Sequence, residues 1–288
     1  MPAPLEGELG MRQLGRGVPA LAGVVMAATA TVGCQWPDGT RYVDHVFAAE
    51  QVRVTTDITY DTVVDSQGQQ ITLELDVYAP PAGDTVTERP AVIWGFGGGW
   101  VAGDKDQLSA YARDSARRGY VGVAIEYRTS PSGGNVIDLA GAAYDDTLAS
   151  VQFLKDHAAE YGIDPGAIVT AGYSAGAVNA LDTAIWPGER GPATSPVAGA
   201  VGIAGFSFGE SDPGDPPILQ FHGVDDPLVP EATGRATCEE ARAAGNHCTF
   251  FSYPGEDHFV AFTQLSSIAE RTADWIFEQV LWPLGYRA

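Results

Sequence analysis

The feature that most constrains this chain is a serine between two glycines, placed directly after an apolar strand pattern. Residues 172–176 read Gly-Tyr-Ser-Ala-Gly and fit the pattern G-x-S-x-G. The apolar run 167–171 precedes them, and small, helix-compatible residues follow. A strand that turns sharply into a helix would raise Ser174 above the sheet edge, where helix N–H groups face incoming negative charge. An ordinary tight turn is the alternative, because the chain has 35 glycines and short motifs arise by chance.

The composition excludes several classes of partner. The chain has 288 residues, of which 45% are hydrophobic, and this is enough for one large core. The formal net charge is −21. A surface this acidic argues against nucleic acid and anionic lipid, because both carry negative charge. We predict no cofactor and no metal site.

Residues 1–34 have the pattern of an export signal. A basic segment precedes a short apolar run at 18–32, and small residues then lead to Cys34. Acidic residues near the first methionine are unusual in such a signal, so we expect translation to start at Met11. The segment resembles a bacterial lipoprotein signal, in which the cysteine is acylated, but Thr31 departs from the usual leucine. Plain cleavage and a native N-terminal helix remain alternatives.

Cysteine use agrees with export. Two cysteines remain beyond Cys34, and an even number in an exported chain predicts one disulfide between Cys238 and Cys248. Two free, buried thiols are the alternative. We therefore expect an extracellular or cell-envelope protein that reaches a membrane only through a lipid on Cys34.

Beyond the export signal, apolar strand patterns alternate with helical patterns. The predicted strands are 52–64, 71–78, 91–94, 121–125, 168–171, 197–204, 218–221 and 249–253. The predicted helices are 107–118, 138–160, a segment after Ser174, 231–244 and a last helix that ends near 281. This alternation predicts an α/β fold with a mostly parallel sheet of about eight strands, helices on both faces and no large cap. We assign 35–56 to an irregular linker and 57–288 to the catalytic domain.

A glycine-rich loop, 95–100, follows the strand at 91–94. It does not fit a phosphate-binding loop, because Asp104 stands where the lysine should be. It does not fit a dinucleotide fingerprint either, because the third glycine of that motif is missing. Backbone N–H groups of this loop, together with that of Ala175, suit an oxyanion hole for a tetrahedral intermediate.

Two further loops supply an acid and a base at strand ends. The loop 222–230 carries carboxylates, and the loop 254–259 carries His258. Serine, aspartate and histidine thus follow three separate strands in the order expected of an α/β-hydrolase. His258 would take the proton of Ser174 and return it to the leaving group, while a carboxylate holds the imidazole tautomer. We expect the other four histidines, His45, His157, His222 and His247, to be structural or exposed. Of these, His222 is expected to brace its own loop.

Residues 59–281 resemble the α/β-hydrolase esterase and lipase family with an HGGGW oxyanion loop, which includes carboxylesterases and hormone-sensitive-lipase-like and feruloyl-esterase-like enzymes. The matching pieces are Gly97-Gly98-Gly99-Trp100, Tyr127-Arg128, Gly172-Tyr173-Ser174-Ala175-Gly176, His222-Gly223 with Asp226 and Val229, and Gly255 with His258. The resemblance implies esterase chemistry.

The resemblance also implies the members of the site. The acid falls at Asp226 rather than Asp225, beside Ser174 and His258, and the oxyanion hole is formed by Gly98, Gly99 and Ala175. One residue departs from the family pattern: Phe96 stands where the family has a histidine that usually pins the loop by a hydrogen bond.

We therefore expect a secreted serine carboxylic-ester hydrolase that works through an acyl-enzyme on small-molecule or polymer-linked esters. The segment 205–215 is too short and too broken by glycine and proline for a helical cap, so we expect short-acyl or bulky aromatic and sugar esters. One alternative is a serine peptidase of the prolyl-oligopeptidase type, which usually carries a large N-terminal domain. Another is a non-catalytic binding module, which typically loses the nucleophile or the base.

Overall fold

The computed structural model describes residues 37, 39–65, 68–186 and 195–287. The predicted export signal, its start at Met11 and the acylated Cys34 lie outside the described residues. Within the described part of the chain, no helix is both long and apolar enough to cross a lipid bilayer.

Eight strands form one sheet in the described part of the chain. They are β1 (Arg53–Val64), β2 (Gln70–Ala79), β3 (Arg89–Gly95), β4 (Val121–Ile125), β5 (Ile163–Tyr173), β6 (Gly199–Ile203), β7 (Ile218–Gly223) and β8 (Cys248–Tyr253). Their order across the sheet is β1-β2-β4-β3-β5-β6-β7-β8. Strand β2 is antiparallel to both of its neighbours, and the other neighbouring pairs are parallel. The predicted mostly parallel sheet is confirmed.

Helices cover both faces of this sheet. They are α1 (Ser109–Arg118), α2 (Val136–Asp156), α3 (Ala158–Tyr161), α4 (Ala175–Ile185), α5 (Glu231–Ala243), α6 (Val260–Thr263) and α7 (Leu265–Ile276), which continues as a π-turn (Phe277–Leu281). Asn135 begins α2, because its side chain accepts the N–H groups of Ile137 and Asp138. The helix predicted at 138–160 is interrupted at His157, whose backbone leaves the helical region.

The central strands are apolar on both faces because each face meets a layer of helices. Val92 and Trp94 of β3 belong to the core cluster beneath α1 and α7, while Ala91 and Ile93 belong to the cluster beneath α2, α4 and α5. Burial of each large aliphatic or aromatic side chain contributes about 1.5–3 kcal/mol, so the sheet centre is the most stable part of the scaffold. The carboxyl ends of β5 and β7 are buried and support the loops that follow them, whereas β8 is an edge strand and is only partly buried.

The segment before β1 packs into the domain and corrects the predicted irregular linker at 35–56. Tyr42 and Val43 are buried in the main core cluster. The N–H of Tyr42 donates to the carbonyl of Arg118 at 2.8 Å, and the Tyr120 hydroxyl donates to the carbonyl of Tyr42 at 2.8 Å. The packed domain therefore includes residues from 39 onward rather than from 57, while β1 begins at 53, close to the predicted start of its strand at 52.

A disulfide joins helix α5 to strand β8. Cys238 and Cys248 are bonded, their Cα atoms lie 5.5 Å apart, and both side chains are buried. The bond closes the connection between the helix and the strand that carries the loop of His258.

Candidate active site

Ser174 lies at a sharp turn between β5 and α4. Its backbone has φ 53° and ψ −118°, a region that residues other than glycine rarely adopt. The N–H of Ser174 donates to the carbonyl of Ile203 in β6 at 2.8 Å, which helps to hold the turn. Such strained positions persist only where the surrounding structure determines them, and they are enriched at functional sites.

The two glycines of the motif are required by close packing. A Cβ on Gly172 would lie 2.2 Å from the carbonyl oxygen of Gly176. A Cβ on Gly176 would lie 2.2 Å from the carbonyl oxygen of Gly95, at the end of β3. Helix α4 can therefore start directly against two strands only if both positions lack a side chain.

The structure brings Ser174, His258 and Asp226 into one hydrogen-bonded chain. The Oγ of Ser174 lies 2.9 Å from Nε2 of His258, and Nδ1 of His258 lies 2.7 Å from Oδ2 of Asp226. His258 and Asp226 are both buried, and Ser174 is half-buried. With its Nδ1–H donated to the carboxylate, a neutral imidazole presents Nε2 as the acceptor for the serine proton.

Asp226 is fixed by its own loop. Its Oδ1 accepts the N–H of Leu228 at 2.8 Å and that of Val229 at 2.9 Å, so Oδ2 is directed to His258. Asp225 is exposed, and its N–H donates to the carbonyl of Glu256 at 3.0 Å. The geometry therefore distinguishes the two adjacent aspartates.

His222 lies behind the carboxylate of Asp226. Its ring is fully buried, with Nε2 2.9 Å from the carbonyl of Val229 and 3.4 Å from Oδ2 of Asp226. Burial lowers the pKa of His222 and outweighs the opposing effects of the Val229 carbonyl and the Asp226 charge. A neutral His222 that donates to Val229 therefore braces the acid loop, as the sequence predicted. Its contact with Asp226 was not predicted from the sequence.

The glycine-rich loop presents free N–H groups. Gly98 has φ 145°, and a Cβ there would lie 1.9 Å from the carbonyl of Ala102, so only glycine fits. In the described part of the chain, the N–H groups of Gly98 and Gly99 have no hydrogen-bond acceptor. The N–H of Ala175, at the first position of α4, has no partner within its helix. All three predicted oxyanion donors are therefore available to a ligand.

Tyr127 and Gln107 hold this loop from behind. Phe96 is buried and stacked on Tyr127, with ring centroids 4.1 Å apart, and the Tyr127 hydroxyl donates to the Phe96 carbonyl at 2.7 Å. The N–H of Gly97 donates to Oε1 of Gln107 at 2.6 Å. Sequence reasoning missed both roles. The Tyr127-Arg128 pair was a signal for the first, and nothing in the sequence indicates the second.

Known families and relatives match this chain. The BD-FAE family matches residues 75–188, and the Phospholipase/Carboxylesterase family matches residues 140–276. The chain is 26% identical over 247 residues to a probable isoprenylcysteine alpha-carbonyl methylesterase of Oryza sativa subsp. japonica, covering 68% of this chain and 56% of the relative. It is 32% identical over 120 residues to a carboxylesterase of Mycobacterium tuberculosis (strain CDC 1551 / Oshkosh), covering 41% of this chain and 33% of the relative.

Solved esterase structures share the fold. A native esterase of Thermogutta terrifontis superposes with a TM-score of 0.66 at 24% identity, covering 83% of this chain and 95% of that one. Esterase 2 of the same species, phosphorylated by paraoxon, gives a TM-score of 0.65 at 26% identity, covering 85% and 98%. Together, the two family matches, the relatives and these structures support an α/β-hydrolase of the carboxylesterase type. The chain spans about half the length of the first curated relatives, 56% of one and 50% of another.

Three other histidines lie outside the hydrogen-bonded chain of Ser174. His45 contacts Asp114, His157 stacks on Phe153, and His247 contacts Thr249. No hydrogen bond links these three histidines to Ser174 or Asp226 in the described residues.

Proposed function

We propose that this chain hydrolyses carboxylic esters through an acyl-enzyme on Ser174. The observation that carries the proposal is the hydrogen-bonded chain from Ser174 through His258 to Asp226, with distances of 2.9 Å and 2.7 Å. These are distances at which a proton can pass from the serine to the imidazole as the serine attacks.

In the first half of the proposed reaction, Oγ of Ser174 attacks the ester carbonyl carbon and His258 takes the hydroxyl proton at Nε2. The carbonyl oxygen becomes an oxyanion and accepts hydrogen bonds from the N–H groups of Gly98, Gly99 and Ala175. One such donor is worth about 10²–10³ in kcat. The C–O bond of the ester then breaks, and the departing alcohol takes the proton from Nε2.

In the second half, a water molecule attacks the acyl carbon. His258 takes a proton from that water and returns it to Oγ of Ser174 when the acid leaves. Asp226 stays ionised throughout, holds the imidazole tautomer and stabilises the imidazolium that forms in each half.

We propose short-acyl or bulky aromatic and sugar-linked esters as substrates, either as small molecules or on a polymer. Support comes from the loop between β6 and β7, which contains no helix over residues 204–217. Phe206 and Phe208 of this loop pack against the cluster that contains Trp100 and Ala175, and we propose that they limit the room for a long acyl chain. We also propose that the protein is exported and that Cys34 is its only membrane anchor.

The activity is tested with nitrophenyl acetate and butyrate against a prolyl nitroanilide. We expect ester turnover and little anilide turnover, and we expect Ser174→Ala to lower kcat by about 10⁴–10⁶. The exposed Ser266, in α7, gives the matched control, Ser266→Ala, which should retain the wild-type rate. Preferred anilide turnover would instead support a peptidase.

Covalent labelling gives a second test. The related Thermogutta terrifontis esterase is phosphorylated by paraoxon. We expect paraoxon to inactivate this chain with one phosphoryl group per chain, attached to Ser174 in the peptide map. Equal labelling of Ser174→Ala would contradict the proposed nucleophile.

A further inference from the structure

Two exposed phenylalanines lie beside the base of the proposed reaction. Phe259 directly follows His258 and is 54% exposed, and Phe262 of α6 is 42% exposed. Large apolar side chains are rarely left in water without a reason when several lie close together. Leu228, in the loop of Asp226, is 66% exposed and adds to the apolar surface of the loops that carry the acid and the base.

Ring contacts link both phenylalanines to the imidazole, Phe259 directly and Phe262 through Tyr173. The rings of His258 and Phe259 have centroids 6.1 Å apart. The buried ring of Tyr173 lies 5.2 Å from His258 and 5.1 Å from Phe262, which it meets edge to face. His258 therefore has one exposed phenylalanine as its chain neighbour and reaches the other through Tyr173. We call Phe259 and Phe262 the aromatic platform.

The chemistry of the proposed reaction indicates which part of the ester this platform meets. Nε2 of His258 must protonate the departing alcohol oxygen, so that oxygen lies next to the imidazole when the C–O bond breaks. The acyl group, in contrast, remains attached to Ser174 with its oxygen directed to the glycine-rich loop. Groups next to the imidazole are therefore groups next to the alcohol.

We propose that the aromatic platform binds an aromatic ring in the alcohol portion of the ester, so that the preferred substrates are esters of neutral aromatic alcohols. This rests on the proposed function and specifies its substrate class. Edge-to-face and offset contacts between rings contribute beyond simple burial, and flat aromatic surfaces select rings over flexible chains. The exposed rings of Phe259 and Phe262 offer such surfaces.

The surrounding charges favour a neutral alcohol. The loops that carry the platform and the acid also carry Asp225, Glu256 and Asp257. Asp257 accepts the N–H of Phe259 at 2.8 Å, and Glu256 accepts hydrogen bonds from Thr263 and Gln264 at 2.5 and 2.7 Å. Carboxylates held this close to the platform repel an alcohol that bears a negative charge.

The test uses four acetate esters: ethyl, cyclohexylmethyl, benzyl and 4-carboxybenzyl. All four give the same acetyl-enzyme, so ratios of kcat/KM report recognition of the alcohol before it leaves. We expect the wild type to prefer benzyl over ethyl and cyclohexylmethyl acetate, and 4-carboxybenzyl acetate to react more slowly than benzyl acetate. In the double variant Phe259→Ala/Phe262→Ala, the ratio of kcat/KM for benzyl acetate to kcat/KM for ethyl acetate should fall about five- to tenfold.

Two further variants control this experiment. Phe259→Tyr/Phe262→Tyr keeps both rings and should keep the wild-type ratio. Val64→Ala removes an exposed apolar side chain from β1, at the opposite edge of the sheet from β8, and should also keep it. Exposed positions tolerate such changes with little loss of stability, so the variants should fold.

The outcomes separate this inference from the activity on which it rests. If the wild type hydrolyses none of the esters, the proposed function fails and the platform fails with it. Suppose instead that the wild type hydrolyses all of them, and that kcat/KM of the double alanine variant falls by the same factor for ethyl and for benzyl acetate. Only the platform is then overturned. A variant that changes selectivity among ethyl esters of acetate, butyrate and hexanoate, but not among the alcohols, would place the phenylalanines on the acyl side and also overturn it.

Discussion

The carbonyl oxygen of Phe96 accepts a 2.7 Å hydrogen bond from the hydroxyl of Tyr127, and the two rings are stacked 10° from parallel. Phe96 stands where the HGGGW loop pattern that this chain resembles has a histidine. A phenylalanine ring cannot donate a hydrogen bond, so the loop is held through its backbone by a donor from the chain after β4. Gln107 holds the next residue, Gly97, through its N–H. The three-glycine loop is thus positioned by two side chains from other parts of the fold.

Removal of the Tyr127 hydroxyl should impair the oxyanion hole without removing the stacked ring. We expect Tyr127→Phe to lower kcat about two- to twelvefold with little change in KM, which corresponds to one hydrogen bond of about 0.5–1.5 kcal/mol. Steady-state kinetics on nitrophenyl butyrate measure this. Tyr60→Phe is the matched control, because Tyr60 also donates from a buried ring to a backbone carbonyl, that of Glu126, at 2.5 Å. Equal effects of the two variants on kcat would show that only stability had changed.

The acid of the site should be Asp226 and not its neighbour. Asp226→Asn would present the wrong imidazole tautomer to Ser174, and we expect kcat to fall by about 10⁴. Asp225→Asn changes an exposed carboxylate and should lower kcat only slightly. The two variants have the same change in charge and size, so a comparison of their kcat values isolates the contact with His258. A larger loss in Asp225→Asn would reverse the assignment.

Much of this site could be predicted from the sequence because its parts are local. The turn at Ser174 needs only a strand, two glycines and a helix, and all three are visible in adjacent residues. Gln107 could not be predicted, because its contact with Gly97 depends on how the 3-10 turn (Lys105–Leu108) folds back over the loop. Tyr42 was missed for a related reason: its segment has no periodic pattern, and its burial depends on contacts with Arg118 and Tyr120 far along the chain.

The disulfide should contribute to stability. The bond between Cys238 and Cys248 spans a sequence separation of ten residues. For a loop of this length, the chain-entropy model gives about 2–3 kcal/mol of unfolding free energy. We expect Cys238→Ala/Cys248→Ala to lower the urea midpoint accordingly, and reduction of the wild type to have a similar effect. Two reactive thiols in the unreduced protein would contradict the bond.

Stability should decline on mild acidification because of His222. Burial lowers the pKa of His222 from its ordinary value of 6.5, against the opposing effects of the Val229 carbonyl and of the charges of Asp226 and Glu231, with a smaller lowering effect of His258. Below pH 6.5 the unfolded chain therefore binds a proton that the folded protein resists. The free energy of unfolding then falls with pH until the folded pKa is reached, by at most about 1.4 kcal/mol per pH unit.

The measurement is urea unfolding of the wild type and His222→Gln between pH 7.5 and 5. The glutamine can still donate to the Val229 carbonyl but does not titrate. His247 and other groups titrate in both proteins, so the difference between the two curves reports His222. We expect the wild type to lose more stability than the variant as the pH falls. Parallel curves would show that His222 does not titrate differently in the folded and unfolded states.

The acyl side of the cleft should favour short chains. The loop after β6 is tied to α4, because the Ser207 hydroxyl and the Phe208 N–H both donate to Asp182, at 2.6 and 2.9 Å. Phe208 packs against Trp100 with ring centroids 6.3 Å apart. This loop is therefore anchored rather than hinged, and it carries no helix that could open as a lid. Each additional acyl CH₂ that stays in water forgoes about 0.8 kcal/mol, so longer chains should gain nothing in kcat/KM.

Nitrophenyl esters from acetyl to palmitoyl test this, with a dispersed triglyceride measured across its solubility limit. We expect kcat/KM to be highest for short chains and no jump in rate when droplets form. A steady rise in kcat/KM beyond about eight carbons, at about fourfold per CH₂, would indicate a deeper acyl pocket than these contacts leave open.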